Sequence, residues 1–181
     1  GTAFSKSDFK EYRLSIGPGA EPGAWDLLRA SPVPISYGTL AQWDTFGLGE
    51  GPYTIKLEAE DLSGNVSTHQ ILVTVDNTPP SAPVLVSAAP NGSDAAIVWQ
   101  LNTEADVSGY LLYRNDQLAN ATGSVIGDLK PYLLSGPTYT NTSLPDGAFT
   151  YAVSVMDEAG NFSELSNTIT VTIDTQAPKA T

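Results

Sequence analysis

No cysteine occurs among the 181 residues, so no disulfide can staple the fold and every domain must stand on its own core. Cations are scarce: Lys+Arg number 8 against 20 Asp+Glu, a formal charge of −12. Nucleic acids and anionic membranes need a basic footprint that this balance denies them, whereas divalent cations remain a fitting partner. The single histidine, His69, lies in Thr-His-Gln-Ile, with no cysteine or second histidine to complete a zinc site. It reads as a half-exposed strand residue, and a serine triad would have to use it. A membrane helix needs about 18 or more consecutive apolar residues, and no such run is present. The opening Gly-Thr-Ala-Phe-Ser-Lys lacks the apolar region of a secretory signal, so if the protein is exported this chain is an excised piece of it. Also missing are a Gly-Lys-Ser/Thr phosphate loop, a Gly-x-Gly-x-x-Gly turn and any capped stretch with helical periodicity. An enzyme is not expected.

What the chain does contain is one phrase used twice. Residues 48–65 read Leu-Gly-Glu-Gly-Pro-Tyr-Thr-Ile-Lys-Leu-Glu-Ala-Glu-Asp-Leu-Ser-Gly-Asn, and residues 144–161 read Leu-Pro-Asp-Gly-Ala-Phe-Thr-Tyr-Ala-Val-Ser-Val-Met-Asp-Glu-Ala-Gly-Asn. Leucine, glycine, aromatic, threonine, aspartate and the closing Gly-Asn recur at the same spacing. Each copy runs into an alternating Thr/Val/Ile segment that ends at Asp76 or Asp174, followed by a proline-bearing stretch. A phrase repeated at domain spacing marks a modular array.

Period-two alternation supplies the strands. In the first module it appears in Tyr12, Leu14 and Ile16, in Tyr53 to Ala59, and in Ile71, Val73 and Val75; residues 25–29 and 39–46 are further candidates. Gly17 to Gly23 reads as a loop. In the second module, Ala95, Ile97, Trp99 and Leu101 share a face, as do Tyr110 and Leu112, then Ile169, Val171 and Ile173. Val84–Ser87 and Thr138–Asn141 add short strands, and the Gly/Pro-punctuated region 115–137 holds one or two irregular ones. About seven strands in about 95 residues is the size of an immunoglobulin-like sandwich.

Residues 81–173 resemble a fibronectin type III domain. The carriers are Trp99, the Ser-Gly-Tyr-Leu-Leu-Tyr-Arg run at 108–114, Leu144-Pro-Asp-Gly-Ala-Phe and Ser166-Asn167-Thr168. Residues 1–75 resemble the bacterial immunoglobulin-like repeats of large secreted or surface proteins. The resemblance implies an all-β chain of two tandem immunoglobulin-like β-sandwiches, residues 1–77 and 78–175, with 176–181 starting a further linker. It implies that Gly1 falls inside a second strand, leaving the first module without its N-terminal strand and with an exposed edge. In this family an aromatic five residues after the leucine forms a tyrosine corner; Tyr53 offers the hydroxyl and Phe149 does not. The resemblance also implies a secreted or cell-surface bacterial location.

Acidic turns are the candidate site. Strand polarity in such a sandwich brings Asp76, at the exit of the first module, to the pole of the second that holds Glu104, Asp106 and Asp157. Converging carboxylates repel unless a cation lies between them, and calcium takes six to eight oxygens. The plain alternative is that Asp-x-x-Gly-Asn is a tight turn and Asp76 to Pro80 a proline-stiffened linker. Trp25 and Trp43, with Tyr37, are candidate stacking faces for sugar rings, against a packing role. Five Asn-x-Ser/Thr sequons, at Asn65, Asn91, Asn120, Asn141 and Asn161, matter only in a eukaryotic secretory route. The expected role is a monomeric, non-catalytic spacer or adhesion pair that partners neighbouring modules, with calcium at the junction. The alternative is a carbohydrate- or protein-binding accessory module of a secreted enzyme.

Overall fold

A computed structural model describes residues 1–5, 7–121, 129 and 132–179. The chain is all-β and falls into two compact units, Gly1–Asn77 and Thr78–Thr181.

The first unit is one antiparallel sheet of β1 (Phe9–Pro18), β2 (Asp26–Ser31), β3 (Gly51–Asp61) and β4 (Val66–Val75), in the order β2-β1-β3-β4. Tyr12 pairs with Ala59, Leu14 with Leu57 and Ile16 with Ile55, so the alternating apolar residues of β1 and β3 share one face. Tyr12, Leu14 and Ile16 are buried, and the Tyr12 hydroxyl donates to the Leu40 carbonyl at 2.8 Å. Outside this sheet, Ala3 and Ile35 form an antiparallel bridge, and Gly1 and Gly38 exchange two further main-chain bonds. Among the described residues of this unit β4 stays open: Val66, Ile71 and Leu72 are 48–59% exposed.

Three local expectations are corrected. Residues 39–46 form no strand: the Asp44 carboxylate accepts the Phe46 N–H at 2.9 Å, bending the chain where a strand must stay extended. The presumed loop from Gly17 starts later, because β1 keeps pairing through Pro18, opposite Tyr53. Tyr53 makes no tyrosine corner; its ring meets Trp43 edge-on with centroids 5.5 Å apart, and no hydrogen bond from the described residues reaches its hydroxyl.

The second unit packs two sheets face to face. One has the order β11 (Ile169–Ile173), β10 (Gly147–Asp157), β7 (Val107–Arg114), β8 (Gln117–Leu118); the other β5 (Leu85–Asn91), β6 (Asp94–Trp99), β9 (Thr138–Asn141). Between them Ile97, Trp99, Tyr110, Leu112, Tyr151, Val153, Val155 and Ile173 are at most 2% exposed. Trp99 and Tyr110 pack with their rings tilted by 54° and centroids 5.6 Å apart, and the Tyr110 hydroxyl accepts the Asn102 N–H at 2.6 Å. Asn167, in the Ser-Asn-Thr approach to β11, bonds both the N–H and the carbonyl of Leu85 at 3.0 Å and so ties one sheet to the other. Leu101 departs from expectation: β6 ends at Trp99 and Leu101 is 53% exposed. Much of the irregular stretch foreseen in 115–137, namely 122–128, 130 and 131, lies outside the described residues.

Candidate functional site

The repeated phrase ends in a similar turn twice. Asp61 Oδ1 accepts the N–H groups of Ser63 and Asn65, both at 2.9 Å, while Asn65 Nδ2 donates to Oδ2 at 2.8 Å. In the second unit, Asp157 Oδ1 accepts from Gly160 and Asn161 at 2.7 and 2.8 Å, and Asn161 Nδ2 donates to Oδ2 at 2.9 Å. Gly64 and Gly160 close the two turns at φ +84° and +95°, conformations that a Cβ resists. The two aspartates differ in surroundings. Hydrogen bonds from Asn65, its side chain first, lower the pKa of the half-buried Asp61, whereas Asp157 is 0% exposed.

Asp106 joins Asp157. Its carbonyl accepts the Glu158 N–H at 2.8 Å, and a carboxylate oxygen of each aspartate lies within 4.8 Å of the other. Three hydrogen bonds to Asp157 use three of the four lone-pair positions of its carboxylate, so Oδ2 retains one with which to bind a cation. The donor set is hard oxygen, which suits calcium. Glu104, on the same loop, is engaged elsewhere. Its Oε1 accepts the Ser81 N–H at 2.8 Å, while Asn102 Nδ2 donates to the Ser81 carbonyl at 2.7 Å. The Ser81 amide, chiefly, brings the Glu104 pKa down from 4.5 to about 2. Asp76 directly follows β4 in the first unit and is half-buried.

A second pair of acids was missed as functional from sequence. Glu50 Oε1 accepts the Asn77 N–H at 3.0 Å, just beyond the last strand of the first unit; Asn77 Nδ2 also donates to the Thr45 carbonyl. Asp146, at the matching place in the phrase, accepts the Thr175 N–H at 2.9 Å, its hydroxyl at 2.7 Å and Gln176 Nε2 at 3.1 Å. Thr175, through its hydroxyl first, lowers the Asp146 pKa. Each unit thus uses the acid in the phrase's opening Leu-x-acid-Gly to grip its own outgoing segment. The only signal was the shared Leu-x-acid-Gly, whose target lies 27 and 29 residues away.

Trp25 and Trp43 are both half-buried and already in contact. Lys56 Nζ sits 4.5 Å from the Trp25 ring centre, and Trp43 meets Tyr53. Tyr37 is 94% exposed with φ +53°. His69 lies on exposed β4 opposite Leu57.

Residues 39–107 match the family model of the bacterial Ig-like domain, group 3. The match begins in the first unit and ends at the start of β7. Among curated proteins, Chitinase A1 of Niallia circulans is 32% identical over 130 residues, 66% of this chain. Exoglucanase B of Cellulomonas fimi is 26% identical over 170 residues, 87% of the chain. The chain spans only 17% and 14% of those two proteins, which are therefore several times longer. Among solved structures, the fibronectin(III)-like modules of Clostridium thermocellum CbhA align with 95% of this chain and 83% of theirs, at a TM-score of 0.56 and 14% identity. The fold is accordingly that of Ig-like and fibronectin III-like β-sandwich modules.

Proposed function

We propose that this chain is a non-catalytic spacer pair within a longer extracellular bacterial protein that acts on polysaccharide. The observation that carries the reading is the repeated acid grip: Glu50 on Asn77 and Asp146 on Thr175 hold the segment leaving each unit, and Glu104 holds Ser81 on the segment entering the second. Side chains spent on fixing the path of the backbone at module ends serve a protein that must set the course of its chain. The curated relatives, a chitinase and an exoglucanase, supply the polysaccharide part of the reading.

The proposal includes a calcium ion on Asp106 and Asp157 of the second unit. A ligand that binds only the folded state stabilises it by RT ln(1 + [L]/Kd), about 2.7 kcal/mol at a hundredfold excess over Kd. Calcium should therefore raise the melting temperature of the wild type and not that of Asp106→Asn. Equal curves with and without calcium remove the ion from the proposal and leave the grip intact. The spacer role is tested on the purified chain with insoluble chitin and cellulose. Neither hydrolysis nor retention is expected, and retention abolished by Trp43→Ala would replace the spacer with a glycan-binding module.

A further inference from the structure

The hairpin joining β5 to β6 turns through Gly92 and Ser93 alone, with Asn91 paired to Asp94 and Gly92 at φ +62°, the glycine-first form of a two-residue hairpin turn. Asn91 is exposed and stands immediately before the glycine. Every other asparagine of the chain has its side-chain amide in a hydrogen bond: Asn65 to Asp61, Asn77 to Thr45, Asn102 to Ser81, Asn115 to Thr150, Asn120 to Tyr132, Asn141 to Tyr151, Asn161 to Asp157 and Asn167 to Leu85. Among the described residues the Asn91 amide has no such bond, and neither does the Gly92 N–H.

We propose that Asn91 is a site of spontaneous deamidation, at which the chain converts its own turn to aspartate and isoaspartate. The Gly92 nitrogen, after losing its proton to solvent base, attacks Cγ of Asn91. A C–N bond forms, the bond from Cγ to Nδ2 breaks, and ammonia leaves with a proton from water. The resulting five-membered succinimide then takes up one water. Opening at Cγ gives aspartate, and opening at the main-chain carbonyl gives isoaspartate, with the chain rerouted through the side chain. No electrons are exchanged, and the net change replaces an amide NH2 by OH. Glycine matters because it carries no Cβ to hinder the ring closure, and a fixed amide would hold Cγ away from the nitrogen.

The one Asp-Gly pair, Asp146-Gly147, has the same covalent potential but the opposite setting. Its carboxylate is held by Thr175 and Gln176 and kept charged, which makes it a poor electrophile.

Conversion at Asn91 has a structural reach. The new carboxylate stands opposite Asp94, a like-charge pair across the hairpin. Asp94 Oδ1 accepts the Ser143 N–H at 2.9 Å and the Ser93 carbonyl accepts the Leu144 N–H at 2.8 Å, so this tip anchors the segment that plants Leu144 in the core.

The test is incubation of the whole chain in mildly alkaline buffer, followed by peptide mapping and enzymatic methylation of isoaspartate. Conversion at Asn91 is expected to run at least about tenfold faster than at any other asparagine, a barrier difference of ~1.4 kcal/mol. A more acidic species should accumulate on native ion exchange, and the Ser143 and Leu144 amide resonances should split as it grows. Asn91→Gln, which keeps an uncharged amide but favours no five-membered ring, should show neither change. Equal rates at all asparagines, or an acidic species that persists in Asn91→Gln, would overturn the assignment.

Discussion

Two tyrosines show how single residues hold irregular backbone to a sheet. Tyr110 sits in the core with its hydroxyl accepting the Asn102 N–H, and Tyr12 donates to the Leu40 carbonyl. Tyr110→Phe leaves a partly buried N–H without a partner and should cost about 1 kcal/mol in urea unfolding, with an unchanged m-value. An unaltered midpoint would mean that the loop simply turns to water. Core truncation sets a larger scale: Trp99→Ala, at a 2% exposed position, should cost about 3–5 kcal/mol. Glu104 gives the residue-level pH response. Its folded pKa lies below its unfolded value of 4.5, so its contribution is complete above that value and fades as pH falls toward about 2. Stability of the wild type should therefore drop more steeply than that of Glu104→Gln between those limits. Parallel pH profiles would contradict the bond to Ser81.

At the scale of elements, the eighteen-residue phrase ends in a similar turn in both units, with Asn65 and Asn161 each bonding their aspartate through both the N–H and the side chain, so the turns can be tested as a pair. Gly64→Ala and Gly160→Ala place a Cβ at positive φ with no atom within 4 Å of it, so the cost is conformational, about 1–2 kcal/mol each. A neutral effect at either position would show that the turn re-forms differently. Strands were legible in the sequence because alternation is a local signal: β3, β7 and β11 follow from it, and Trp99 and Tyr110 fall on the inner face. The stretch 39–46 misled because its spacing of apolar residues outweighed a turn set by one side-chain bond, Asp44 to Phe46. Tyr53 misled because its position in the phrase fits a corner while Trp43, distant along the chain, takes its ring. Of the acidic residues, the turn aspartates were visible from composition and spacing. The grips of Glu50 and Asp146 were not, since a carboxylate's choice of a backbone N–H nearly thirty residues away leaves no periodic trace.

For the whole molecule, the scarcity of cations and the charge of −12 take on a use. With so few lysines and arginines to pair with them, many of the carboxylates turn to backbone N–H groups: Asp61 and Asp157 at turns, Glu104 at an incoming segment, Glu50 and Asp146 at outgoing ones. Only three ion pairs, Lys10–Glu60, Arg13–Glu11 and Lys56–Glu58, are formed among the described residues, all in the first unit. Such surface pairs contribute ~0–1 kcal/mol each. Cohesion at the module ends thus rests on charge-assisted bonds to the main chain, which are geometrically specific and suited to fixing a path. The most direct test is the heteronuclear NOE of the Thr175 and Gln176 amides, which reports motion faster than nanoseconds. In the wild type the values should equal those of β11, and in Asp146→Ala they should collapse toward those of a free tail. Low values in the wild type, or values unmoved by the substitution, would contradict the grip.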